Sequence, residues 1–266
     1  MHLELLKIGP VTIYGYGTCI SIGFFAALWL CSKRAPKYGL VSDTVIDIAL
    51  TVMAFGFVGA KVLYYITILP QIVKNPRLLL NIANGFVLYG GLIGGILAGY
   101  IYCRIKKVSF LAYFDLISPS VAIAQSFGRL GCFMAGCCYG KPCNSWYCVV
   151  FPASGLAPAG VPLLPTQLIM CFGDAAICFI LLYIAAQKRS EGTVAASYLV
   201  LYSIGRFFVE YLRNDERGTV GMLSTSQFIS IFILIGAISL FAIAHRKRNP
   251  SEAIDSESDD TQRNDE

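Results

Sequence analysis

The chain has 266 residues, 56% of them hydrophobic and 14% charged, with a net charge of +5. Soluble domains carry about 25% charged residues, so this composition excludes an ordinary water-soluble enzyme. It predicts an all-α integral membrane protein with no nucleic-acid partner.

Seven stretches approach the ~20 apolar residues needed to cross a bilayer, near 11–31, 45–67, 84–103, 115–137, 165–187, 194–212 and 225–245. Met1 to Pro10 carries Glu4 and Lys7 but no basic run followed by a cleavage site, so it is not read as a removable signal peptide. The first span, which holds Tyr16, is expected to double as the insertion signal. Span two contains Lys61 in GFVGAKVLYY. A charge at mid-membrane costs on the order of 2.5–3.5 kcal/mol on insertion scales, so each one needs a partner or a task.

Span three reads NGFVLYGGLIGGILAGY. Gly90 and Gly94, and Gly91, Gly95 and Gly99, form small-xxx-small rows that let another helix approach closely. Tyr89 stands just before this seam, where interhelical hydrogen bonding competes with catalysis as its role.

Span four opens with Asp115 and carries Arg129 in SFGRLGCFMAGCCYGKP. Asp115 is about 21 Å from Arg129 along a helix. Arg129 therefore needs an acid on another helix or an anionic ligand, and guanidinium suits a phosphate because it offers two parallel hydrogen bonds. Of ten cysteines, Cys19, Cys31, Cys103, Cys171 and Cys178 fall in or at the ends of apolar spans and read as small hydrophobes. Cys132, Cys137, Cys138, Cys143 and Cys148 crowd the end of span four and the following loop. Their spacing is not that of paired C-x2-C motifs and no His is near, so no metal is expected. A Cys143–Cys148 disulfide and plain packing both stay open.

Span five contains Asp174. Span six holds Arg206, Glu210 and Arg213 in LYSIGRFFVEYLR. Spaced by four and three, these residues are expected to share one helix face, where a self-neutralising ion pair is the plain reading. Beyond span seven, residues 250–266 carry seven acids and one Arg and lack aromatics. This segment is read as a disordered acidic tail, with 1–249 as the membrane domain.

Basic residues fix the expected orientation. Lys33, Arg34, Lys37, Arg104, Lys106, Lys107, Lys188, Arg189, Arg246, Lys247 and Arg248 follow odd-numbered spans. Lys7, Lys74, Arg77, Lys141, Arg213 and Arg217 lie on the other side. The positive-inside rule then predicts an external N-terminus and a cytoplasmic C-terminus.

Several segments, taken together, resemble the bacterial prolipoprotein diacylglyceryl transferases. These are IGP at Ile8–Pro10 with Tyr16-Gly17, YGGLIGG at Tyr89–Gly95, Asp115-x-x-x-Pro119, GRLGCF at Gly128–Phe133, PTQL at Pro165–Leu168 and GRFFVEYLR at Gly205–Arg213. The resemblance implies transfer of the diacylglyceryl group of phosphatidylglycerol to the lipobox cysteine of prolipoprotein signal peptides, in the bacterial cytoplasmic (inner) membrane and without a cofactor. It implies catalytic roles for Arg129, Arg206, Tyr89 and Glu210, and substrate binding by Arg129, Tyr16 and Arg213. This chain departs from the family pattern where Tyr89 and Leu164 replace His, Cys132 replaces Asn and Cys137 replaces an acid. Its histidines are His2 and His245, so histidine-based catalysis is not expected. The competing expectations are a diverged member that binds anionic lipid or uses another acceptor, and an anionic-solute transporter, which the lack of an internal repeat disfavours.

Overall fold

The computed structural model describes residues 4–8, 11–80, 85–153, 155–187, 190–215 and 218–246. Gly9 and Pro10 of the IGP segment and the acidic tail from Pro250 to Glu266 lie outside the described residues. The chain forms two compact units, one comprising residues 1–30 and 114–266, the other residues 31–113.

Strands β1 (Glu4–Ile8) and β2 (Val11–Tyr14) pair as an antiparallel hairpin leading into α1 (Gly15–Arg34). A 3-10 turn (Ala35–Tyr38) closes on Gly39 with φ +67, and α2 (Ser42–Thr67), α3 (Leu69–Lys74) and α4 (Leu88–Lys106) follow. Then come α5 (Phe110–Ala135), the two-residue strands β3 (Val149–Val150) and β4 (Pro162–Leu163), and α6 (Thr166–Ala185). Helix α7 (Thr193–Val209) gives way to a 3-10 turn (Glu210–Leu212), and β5 (Thr219–Val220) and β6 (Leu223–Ser224) lead into α8 (Thr225–Arg246). The small hairpins satisfy backbone amides and carbonyls between helices, and hydropathy gave no signal for them.

Six helices are long and apolar enough to cross a membrane: α1 with its 3-10 extension, α2, α4, α5, α6 and α8. They turn large apolar side chains outward, among them Phe25, Phe57, Ile93, Phe172 and Phe232. Six such helices with apolar faces turned outward make the chain a mostly helical, multi-pass membrane protein. Helix α7 is 17 residues long and carries Arg206, which makes it the shortest of the helices at the predicted span positions.

In the residue 31–113 unit, α2 and α4 pack backbone to backbone through the predicted glycine seam. A Cβ at Gly90 would strike the Gly59 carbonyl oxygen, and one at Gly94 would stand 2.7 Å from the Phe55 carbonyl oxygen. Small residues thus replace hydrophobic drive with contact area, as membrane helix pairs require. The Val87 amide donates to the Ala60 carbonyl at 3.1 Å and ties the start of α4 to α2. Lys61 sits beside this seam with its Nζ 4.9 Å from the Tyr65 ring centroid and 5.1 Å from those of Tyr64 and Phe86, and it donates to the Gly85 carbonyl at 3.5 Å. The aromatic box satisfies the charge in place.

In the other unit, Ala122, Cys178, Leu181, Ala185, Val194 and Tyr198 form a core among α5, α6 and α7. The Asp115 carboxylate accepts from the amides of Gly192 and Ala195, both at 2.7 Å. It caps the first turn of α7 from another helix, where free amides and the helix dipole favour an anion. Asp115 is therefore a structural acid, with a task set by the α7 terminus.

Candidate functional site

Five predicted site residues, Tyr16, Arg129, Arg206, Glu210 and Arg213, belong to the unit formed by residues 1–30 and 114–266. Arg129 projects from α5 with its Nε 3.9 Å from Asp174 Oδ2 on α6, and their side chains are 19% and 8% exposed. That separation is too long for a hydrogen bond. Arg129 has no hydrogen-bond acceptor among the described residues, and the buried Asp174 Oδ2 has no donor. Asp174 also interacts electrostatically with Arg206. The sequence shows Asp174 as a charge within a span and gives it no partner.

Arg206 is held more tightly. Its Nη1 lies 2.7 Å from Glu210 Oε2, and its Nη2 donates to Ser226 Oγ at 2.6 Å. The i, i+4 pair was legible in the sequence. The expectation that Arg213 continues the same helix face is corrected here. Helix α7 ends at Val209, and after the 3-10 turn Arg213 is extended with φ −84 and ψ 153. Its fork donates instead to both oxygens of Asp215, at 2.9 and 2.8 Å. Asp215 follows by two residues, and only a non-helical backbone brings such neighbours together.

The residue 139–141 segment fixes where Arg213 lies. The Lys141 amide donates to the Leu212 carbonyl at 3.0 Å and the Asn214 amide to the Tyr139 carbonyl at 3.2 Å. Arg213 thereby reaches Cys138, to which it hydrogen-bonds. Hydrogen bonds from Cys132 and Cys137 hold the Cys138 thiol well below the ordinary thiol range, and Arg213 adds to the effect against the cost of burial. The PTQL segment supports the same loop from beneath. Thr166 Oγ1 donates to the Cys138 carbonyl at 2.7 Å and Gln167 Nε2 to the Cys137 carbonyl at 2.8 Å. Cys143 and Cys148, farther along the loop, form a disulfide, which resolves the alternatives left open by the sequence.

Tyr16, near the start of α1, packs on Gly131, where an added Cβ would meet its Cδ2 at 3.2 Å. Its phenol is within electrostatic range of Arg129 and of the three thiols Cys132, Cys137 and Cys138. Tyr89 belongs to the residue 31–113 unit, at the start of α4. Its side chain is exposed, and its hydroxyl has no hydrogen-bond partner among the described residues.

The arrangement suits a doubly charged or delocalised oxyanion. Arg129 keeps its five donors available, while Arg206 and Arg213 are preorganised by carboxylates that restrain them. A family model described as prolipoprotein diacylglyceryl transferase matches residues 4–243. The chain is 44% identical to the phosphatidylglycerol–prolipoprotein diacylglyceryl transferase of Clostridium tetani, over 91% of this chain and 98% of the relative. It is 45% identical to phosphatidylglycerol–prolipoprotein diacylglyceryl transferase 2 of Clostridium perfringens, over 91% of this chain and 95% of that protein. A Staphylococcus aureus protein of the same name is 32% identical over 92% of this chain and 89% of its own length.

Proposed function

The chain belongs to the prolipoprotein diacylglyceryl transferase family, and from that premise we propose that it transfers the diacylglyceryl group of phosphatidylglycerol to the lipobox cysteine thiol of prolipoprotein signal peptides. This is the first step of lipoprotein maturation. The observation that carries the reading is Arg129, a mostly buried guanidinium that stands 3.9 Å from Asp174 and makes no hydrogen bond among the described residues. Buried charges are normally hydrogen-bonded, so an under-satisfied Arg–Asp pair supports an anionic ligand at this point.

In the reaction the thiol loses its proton and its sulfur attacks the glycerol carbon bonded to the phosphate oxygen. The carbon–oxygen bond breaks, the electron pair leaves with the phosphate, and the products are a thioether and glycerol phosphate. The charge accumulating on the departing phosphate is the electrostatic problem, and Arg129 and Arg206 answer it. Arg206 is oriented by Glu210 and Ser226, and Arg129 exchanges its long Asp174 contact for phosphate oxygens. Tyr16 and Arg213 line the headgroup side. The resemblance also gives Tyr89, in the residue 31–113 unit, a part in transfer.

The membrane arrangement belongs to the same reading. Helix α7 makes a seventh crossing together with its 3-10 extension, the N-terminus is external, and the C-terminus lies on the cytoplasmic side of the bacterial inner membrane. The phosphatidylglycerol headgroup and the signal peptide then meet at the outer leaflet. The test is complementation of cells depleted of their own transferase, with the mass of a reporter lipoprotein as readout. A diacylglyceryl mass increment on the lipobox cysteine supports the reading, and accumulation of unmodified prolipoprotein beside inserted chain overturns it. A reporter inserted near Asn144 should be external and one fused after Glu266 cytoplasmic. The reverse result would place the site on the wrong leaflet.

A further inference from the structure

Helix α5 stops at Ala135 because Gly136 takes the left-handed conformation, φ +71, while the Gly136 and Cys137 amides donate back to the Phe133 and Cys132 carbonyls at 3.3 and 3.1 Å. This is the helix end that a glycine just past the last helical residue permits. The next residue but one, Cys138, is also left-handed at φ 64. The double turn folds Cys137 and Cys138 back on Cys132, and the three sulfur atoms lie within 4.8 Å of one another. Thiolates held at about 2.3 Å by a tetrahedral ion stand roughly 3.8 Å apart, so the three sulfurs are within about an ångström of that spacing.

The trio does not look like three small hydrophobes packed by chance. Cys31, Cys103 and Cys178 show how this chain buries a cysteine for packing, singly and within a helix. At the end of α5 an irregular turn is needed to bring three together. That turn is fixed from below by Thr166 and Gln167, both 0% exposed. The nearby Cys143 and Cys148 bridge each other, and the trio stands outside that disulfide. Arg213 bonds Cys138, and Arg129 is within electrostatic range of Cys132, so two cations offset the negative charge that three thiolates would bring.

We propose that Cys132, Cys137 and Cys138 form a three-thiolate site for a soft d10 cation, zinc above all, with its fourth position open to an incoming thiol. An all-sulfur donor set selects zinc or cuprous copper over magnesium, calcium or manganese. Three protein ligands with one open position are the pattern of a reactive zinc site rather than a closed structural one. The open position draws its meaning from the transferase reading, on which this half of the inference rests. A free thiol near pH 7 is mostly protonated, and this chain offers no histidine to deprotonate it beyond His2 and His245. On binding the cation the lipobox thiol gives its proton to water, and the metal-held sulfur then forms the bond to the glycerol carbon as the phosphate takes the carbon–oxygen electron pair. The thioether product is a weaker ligand than a thiolate and leaves the site.

The full-length chain, purified in detergent from zinc-supplemented cells, should carry about one zinc per chain by elemental mass spectrometry. The combined Cys132→Ser, Cys137→Ser and Cys138→Ser variant should lose it by tenfold or more, whereas Cys143→Ser with Cys148→Ser should retain it. Cobalt in place of zinc gives a second readout that does not depend on activity, since a four-coordinate thiolate site has intense ligand-field absorption. The Cys137→Ser single variant should shift that absorption. Equal zinc in the parent and triple variants, or a disulfide within the trio of the native chain, overturns the site. Full transfer by metal-stripped chain overturns thiol activation and leaves the transferase reading intact. Zinc bound at the trio with no transfer to any lipobox peptide removes the transferase reading and leaves the metal site standing.

Discussion

Lys61 in the residue 31–113 unit and Arg129 in the other unit are both cations among apolar helices, yet their surroundings differ in kind. Lys61 is boxed by Tyr64, Tyr65 and Phe86 and reaches the Gly85 carbonyl. Arg129 has a single carboxylate at 3.9 Å and no hydrogen bond among the described residues. Aromatic faces and a carbonyl satisfy an ammonium without presenting anything a phosphate could displace. A long contact to Asp174 leaves a guanidinium whose best geometry is still to be made. A charge among apolar helices therefore does not by itself mark a site; incomplete satisfaction of that charge does.

The largest expected effect is at the arginines. Arg206→Ala should reduce diacylglyceryl transfer by about a hundredfold or more, because a charge-assisted bond to the departing phosphate contributes about 1.5–3 kcal/mol. Arg206→Lys should be nearly as poor, since a single ammonium cannot reproduce a two-pronged contact. Turnover measured with labelled phosphatidylglycerol and a lipobox peptide checks both. Next comes Tyr89→Phe, expected to slow transfer by about a hundredfold, the scale for losing an acid–base group. A silent Tyr89→Phe would move Tyr89 to the packing side of the comparison, and an active Tyr89→His would show that the family's histidine supports transfer in this chain.

Gly90→Ala probes the seam unit without touching chemistry. Its new Cβ would strike the Gly59 carbonyl oxygen, so thermal unfolding in detergent should reveal a loss of about 1–3 kcal/mol. Unchanged stability would mean that α2 and α4 are held by something other than close backbone approach. The smallest effect is expected for Cys143→Ser and Cys148→Ser, whose disulfide lies in the loop beyond the matched GRLGCF segment. Transfer per folded molecule should stay within about twofold, with the cost of the lost disulfide appearing in stability, and loss of transfer with the fold intact would bring this loop into the site.

The sequence was informative where one periodicity or spacing governed the outcome. Hydropathy located six helices long and apolar enough to cross a membrane, the glycine rows marked the close-packed face of α4, and i, i+4 spacing paired Arg206 with Glu210. It was uninformative where partners are distant or the backbone leaves the helix. Asp115 reads as a charge at the start of a span, and its role as the cap of α7 depends on amides 77 and 80 residues away. Arg213 reads as a helical neighbour of Glu210 until the helix ends and Asp215 takes it. The thiol trio is invisible to a metal-motif search because Gly136 and Cys138 fold a spacing that matches no such motif. PTQL was legible as a motif, but its task of holding the Cys137 and Cys138 carbonyls depends on tertiary contact.

The most direct test compares the two half-buried cations in one assay. Arg129→Met and Lys61→Met each remove charge while keeping much of the side-chain volume, and both variants should be assayed for transfer at matched amounts of inserted, monodisperse protein. Arg129→Met should lose about a hundredfold or more, while Lys61→Met should stay within a few-fold and show its cost in thermal stability, on the scale of about 0.5–2 kcal/mol for a cation–π box. Near-normal transfer by Arg129→Met, or a selective loss of transfer in Lys61→Met, would contradict the assignment of the phosphate to Arg129.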